Sequence, residues 1–149
     1  MTYATLPLMI RLTLITLLLL PFAVSAKAGD DDASFRSPSG NILCSAYIDY
    51  QNAPVVRCDM LKRDDPAPLM PMPADCDADW GNMFVVGKTG EASLECAGDL
   101  AADPSSPVLN YGSVIKKYGI TCLSEKAGFT CINANGHGFS LSKAQQKLF

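Results

Sequence analysis

The sequence predicts an all-β fold: a small antiparallel barrel or sandwich built from three hairpin units, stapled by disulfides, with a short C-terminal helix. Three observations carry this. Six cysteines, all C-terminal to Gly40, fit a disulfide framework in an oxidising compartment. Short runs of alternating apolar and polar residues are punctuated by Gly, Pro and Asn, the pattern of half-buried strands joined by turns. Cys122 and Cys131 also fall opposite one another when their run is folded at its most turn-like residues, and pairing Cys44 with Cys58 gives an earlier hairpin a consistent apolar face.

The N-terminus reads as a targeting signal. Arg11 supplies a positive start, and Leu12–Val24 is uncharged and mostly apolar. That run is shorter than the ~20 residues needed to cross a bilayer. Pro21 and then Val24-Ser25-Ala26 provide the helix break and small residues of a cleavage site. Residues 1–26 are therefore expected to be a signal peptide. No cysteine follows the run for lipid attachment, so no membrane anchor is expected after cleavage, and the product is expected to be periplasmic or secreted. Cleavage removes Arg11 and no acidic residue, so the mature charge falls one unit below the formal −3 of the whole chain. An acidic chain without a basic stripe is a poor partner for nucleic acid or anionic lipid.

Residues 27–34, with Asp30, Asp31 and Asp32, read as a flexible acidic tail, and 35–149 as one disulfide-rich β domain. Ser37-Pro38-Ser39-Gly40 is a turn signal. Asn41–Tyr47 and Val55–Met60 then form the first hairpin. Pairing Cys44 with Cys58 sets a register in which Ala46 faces Val56 and Ile48 continues the apolar face. Leu61–Ala74 contains Pro66, Pro68, Pro71 and Pro73 and can be neither helix interior nor central strand, so it reads as a stiff connector. Asp75, Asp77 and Asp79 resemble the start of a calcium loop, but Trp80 and Val86 stand where the glycine and the bidentate glutamate are required. Solvated aspartates beside a core-facing Trp80 fit better, and no metal is expected.

Gly81–Val86 and Glu91–Cys96 form the second hairpin around Gly87-Lys88-Thr89-Gly90. With Val86 opposite Glu91, Met83, Val85, Ala92 and Leu94 share a face, and Phe84 is expected to be exposed or under a loop. Cys76–Cys96 then ties the incoming connector to the strand end. The third unit centres on Tyr111–Leu141. A turn at Glu125–Gly128 pairs Ser124 with Phe129 and brings Cys122 opposite Cys131. Asn135-Gly136 makes a second turn, delivering the only histidine, His137, between Gly136 and Gly138 at the start of a further strand. Ser142 with Gln145 has the spacing of a capping box, so two helical turns are expected over Ser142–Phe149.

Several of these segments carry a resemblance. Phe35-Arg36-Ser37-Pro38-Ser39-Gly40-Asn41-Ile42-Leu43-Cys44, Val56-Arg57-Cys58-Asp59, Asp79-Trp80-Gly81 and Cys96-Ala97-Gly98-Asp99 belong to it. So do Tyr111-Gly112, Gly119-Ile120-Thr121-Cys122 and Asn133–Ser142 with Gly136-His137-Gly138-Phe139. The chain resembles an uncharacterised family of small exported bacterial domains of unknown function. The resemblance implies export, six paired cysteines and a compact β domain; it implies no activity. Leu100 departs from the threonine that the family pattern places after Gly98-Asp99.

The residues assemble no evident catalytic set. A serine hydrolase needs an imidazole held by an acid beside an activated hydroxyl, and His137 is the only imidazole. An even number of cysteines leaves no thiol for a thiol enzyme or a zinc site. Glu91 and Glu95 alternate on a solvent face, and Glu125 is in a turn. The function expected is a non-enzymatic binding or interaction module of the bacterial envelope or secretome, needing no cofactor and recognising a protein or envelope component. Its candidate binding residues are His137, Gly136, Gly138, Asp99 and Trp80. His137 itself reads first as a rim residue whose imidazole ties its turn by a hydrogen bond. The alternative function is a small envelope hydrolase pairing His137 with Asp99 or another nearby carboxylate.

Overall fold

The computed structural model describes residues 32–149; the expected signal peptide and all but the end of the expected acidic tail lie outside them. Ten strands build two five-stranded antiparallel sheets, each a meander. The first sheet runs in chain order through β1 (Ala33–Arg36), β2 (Ile42–Ile48), β3 (Pro54–Met60), β4 (Met83–Gly87) and β5 (Ser93–Leu94). The second runs through β6 (Val114–Lys117), β7 (Ile120–Glu125), β8 (Gly128–Ile132), β9 (Gly138–Leu141) and β10 (Gln146–Leu148). Among the described residues there is no helix, and the sheets do not close into a barrel. The three expected hairpin units are thus absorbed into two meanders.

Alternation decides which side chains meet between the sheets. Opposed residues of antiparallel strands share a face, so Phe35, Cys44, Cys58, Phe84 and Leu94 line up across the first sheet. Cys122, Cys131 and Phe139 do so across the second. These two rows form one core. Phe35 lies near Phe129, with centroids 6.1 Å apart, and Phe84 near Phe139 at 6.0 Å, separations suited to favourable aromatic contact. The disulfides Cys44–Cys58 and Cys122–Cys131 cross-link adjacent strands inside this core, and Cys76–Cys96 ties the proline-rich connector to the segment after β5.

Four expectations need correction. Phe84 is not exposed: it has 0 % of its surface accessible. The pairing is Phe84 with Leu94 and Val85 with Ser93, one residue away from the register set by Val86 opposite Glu91. A one-residue slip turns every side chain to the other face, which is why Phe84 and Val86, not Met83 and Val85, enter the shared core. Burial of β4 on both faces removes the alternation that would have revealed this. At the N-terminal side, Ala33 and Ser34 belong to β1, paired with Ala46 and Ser45, so the tail is shorter than expected.

The C-terminal helix is replaced by strand β10. Ser142 and Gln145 do bond reciprocally, but they close a turn: Ser142 N–H donates to Gln145 O at 2.7 Å, and Gln145 N–H to Ser142 Oγ at 3.0 Å. Eight residues are too few to repay helix nucleation, whereas the free edge of β9 offers a ladder. Gly138 and Phe149 extend that ladder by exchanging both backbone hydrogen bonds. β6 has its own two-residue turn, in which Tyr118 and Gly119 both take positive φ, 54° and 81°, as a type I′ hairpin requires.

Candidate functional site

Three places hold the polar residues of interest. The first is the turn around His137. Its organiser is Asn133, buried at the end of β8. Asn133 Oδ1 accepts from the N–H groups of Asn135 and His137 at 3.0 and 3.1 Å. Asn133 Nδ2 donates to the carbonyls of Gly87 and Gly90 at 3.1 and 2.8 Å, joining this turn to the loop between β4 and β5. The tie expected from His137 is therefore made by Asn133, while the half-buried imidazole makes no hydrogen bond among the described residues. Gly136 supplies the positive φ, 85°, of the turn. Gly138 serves close approach, because a Cβ there would land on the carbonyl oxygen of Cys131. Both glycines act on the backbone.

The second place is the outer face of the first sheet. Arg57 and Asp59, two apart on β3, both point away from the shared core, yet they are only 6 % and 2 % exposed. The connector after β5 covers them. Arg57 Nε donates to Asp59 Oδ1 at 3.0 Å and Nη2 to Oδ2 at 3.1 Å. Arg57 also reaches the Asp99 carboxylate at 3.2 Å and donates to the Asp99 carbonyl. Ala101 N–H donates to Asp59 Oδ2 at 2.6 Å. Glu95, expected to be a solvated residue, lies 3.6 Å from Arg57 Nε with its Oε2 shielded from water. Burial raises the Asp59 and Glu95 carboxyls above their ordinary values, opposed by Arg57, and burial also raises the Tyr47 phenol, reinforced by Glu95.

This cluster holds a connector in place. Its guanidinium is occupied by carboxylates and a carbonyl, and both ends of Asp59 are bonded. Among the described residues no hydrogen bond or ion pair joins Asp99 to His137. Arg57 and Asp59 were legible as polar residues on one strand face, but their burial depends on a connector whose path the sequence does not reveal.

The third place is a cavity of about 220 Å³ at one end of the interface between the sheets. Three turns converge on it: Ser37–Asn41 between β1 and β2, Glu125–Ala127 between β7 and β8, and Ser142–Lys143 after β9. Ile42, Phe129 and Leu141 give it an apolar floor, with Tyr111 at the side. Ser37 Oγ accepts from Ile42 N–H at 3.1 Å and lies 3.1 Å from Ser39 Oγ, so the first turn is held by hydroxyls. Ser124, on the same wall, is 1 % exposed, and its Oγ has no hydrogen-bond partner among the described residues. None of the candidate binding residues named from the sequence, His137, Gly136, Gly138, Asp99 and Trp80, lines this cavity.

Trp80 is half-buried and packs against the core, and its Nε1 donates to Met70 O at 2.9 Å, pinning the proline-rich connector. It lines a second, wider cavity of about 560 Å³ with Leu61, Lys62, Arg63 and Lys143. Among the described residues no group of three or more His, Cys, Asp or Glu side chains is placed to hold a metal ion. Among the described residues no helix is long and apolar enough to cross a membrane. In comparison with known proteins, a family described only as one of unknown function (DUF6636) matches residues 13–149. No curated protein and no solved structure matches the chain.

Proposed function

This chain belongs to that family of unknown function, and from that premise we propose that it is an exported, non-enzymatic binding module whose ligand seats in the cavity between the two sheets. The observation that carries the reading is the convergence of three turns on an apolar floor. Two of the segments that carry the family resemblance meet there, Ser37–Ile42 from one end of the domain and Leu141–Ser142 from the other. Concave, largely apolar sites with a few polar groups at the rim are the usual form of small-ligand pockets. The scaffold suits this role. Disulfides inside the core fix both sheets, so the cavity is preformed and binding orders little of the chain. Three disulfides also support export, since such bonds persist in oxidising compartments. The partner is read as an envelope component.

Ala127 is exposed at the mouth of the cavity, so Ala127→Trp fills the site without entering the core. The test is amide chemical-shift mapping of the oxidised domain against a fragment library. Hits should move the amides of Ser39–Ile42, Ser124–Phe129 and Leu141–Lys143, and Ala127→Trp should abolish them. Hits that map elsewhere, or that ignore Ala127→Trp, would refute the reading.

A further inference from the structure

The cavity between the sheets does not stand alone. Lys143 lines both it and the wider cleft beside Trp80. The two are stitched at their boundary: Asn41 Nδ2 donates to Lys62 O and Leu61 N–H to Asn41 O, each at 2.9 Å, and Asp64 N–H donates to Lys143 O at 2.9 Å. Their chemistry differs. The first has a floor of Ile42, Phe129 and Leu141, and apart from the shared Lys143 its charged rim residues, Glu125 and Lys126, offset one another. The second carries Lys62, Arg63 and Lys143 against a single acid, Asp64. Asp64 pairs with Lys143 at 3.2 Å. The Arg63 guanidinium instead donates to the neutral carbonyls of Pro66 and Ala67 at 2.6 and 3.2 Å, which fixes its position without cancelling its charge. A chain with net negative charge thus keeps a small cationic cleft beside an apolar pocket.

We propose that the two cavities form one site for a single amphipathic anion, with an apolar chain or ring between the sheets and a carboxylate or phosphate against Lys62, Arg63 and Lys143. This rests on the binding-module reading and names its ligand class. The apolar part is small: a dry cavity of about 150 Å³ accepts one benzene, so this pocket takes a ring or a short chain. The anionic end meets exposed cations, where each pair contributes little and is screened by salt. Charge therefore tunes the affinity, and the apolar group supplies most of it.

The experiment titrates the oxidised domain with octanoate, octyl phosphate and 1-octanol, all below micelle concentration, by chemical-shift mapping and calorimetry. Both anions are expected to bind more tightly than 1-octanol, by roughly fivefold at low salt. The advantage should vanish in 0.5 M salt and in the double variant Lys62→Gln with Lys143→Gln. The relative strength of the two anions tells a carboxylate ligand from a phosphate ester. Equal binding of 1-octanol and the anions overturns this proposal and leaves the binding-module reading intact. Absence of binding by all three also overturns it. Binding that persists unchanged in Ala127→Trp overturns both.

Discussion

Replacing Arg57 by methionine tests how the outer face of the first sheet is held. In the parent, Asp59 is 2 % exposed and its charge is met by two bonds from Arg57 and one from Ala101 N–H. Methionine fills much of the same space but leaves that carboxylate buried with the backbone donor alone. Removing one member of a buried ion pair costs ~3–5 kcal/mol. Domains of this kind have stabilities of ~5–15 kcal/mol, so the change is severe without preventing folding. Each kcal/mol moves the midpoint of a small domain by about 4 °C or more, so a fall of roughly 10–25 °C is expected.

The assay is thermal and urea unfolding with the disulfides intact. The deficit has a defined pH dependence. Burial already raises the Asp59 carboxyl above its ordinary value of 3.8, and loss of Arg57 raises it further. A raised folded pKa gives stability that is present below the unfolded value and is lost as pH rises through the folded one. The variant should therefore be weakest near neutral pH and should approach the parent on acidification. Adding Asp59→Leu removes the orphaned charge and should recover most of the loss, because apolar replacement of a whole buried pair is often neutral. Faster amide exchange at Ala101 would report release of the connector. An Arg57→Met midpoint within about 2 °C of the parent, a shift below ~1 kcal/mol, would refute the reasoning. So would a double variant no more stable than the single one.

Asn133→Ala should cost about 2–4 kcal/mol, the sum of four hydrogen bonds of modest net worth, whereas His137→Ala should cost under ~1 kcal/mol; paired thermal midpoints decide between the two as organiser of the turn. Converting Cys44 and Cys58 together to alanine opens a loop with sequence separation 14 and should lower stability by roughly 3 kcal/mol, measured by urea unfolding. Ser124→Ala removes a buried hydroxyl without a partner, so its midpoint should equal or exceed that of the parent by up to ~1 kcal/mol. For Glu95, whose carboxyl burial raises above its ordinary 4.5, the sign is the same as for Asp59: relative to Glu95→Gln, the parent should lose stability as pH rises from about 4.5 through the folded value. Urea midpoints between pH 4 and 7 test this.

What the sequence determined by itself is local. Cys122 opposite Cys131 follows from a short turn and strict alternation, because a tight turn fixes register and register fixes faces, while in the first hairpin the pairing of Cys44 with Cys58 itself set the register that alternation then supports. Cysteine parity is likewise a property of composition. The turn at Tyr118-Gly119 joining β6 to β7 was not read from the sequence, because the strand before it, Val114–Lys117, is short and its pattern weak. Where pairing partners compete for the same segment, local signals fail. Ser142 and Gln145 satisfy a helix start and a strand turn equally well, and the open edge of β9 selects the turn. Phe84 lies on a strand buried on both faces, so only the opposing sheet, through Phe139, shows which way it points. The functional surface depends most on tertiary structure. Ser37, Ser124, Phe129 and Lys143 are far apart in sequence and share no pattern; they meet because the two meanders pack with three turns at one end. Arg57 and Asp59 likewise become a buried pair only when the connector folds back over them. A cavity and a buried charge are created by the meeting of distant surfaces, and no period or spacing along one chain encodes that meeting.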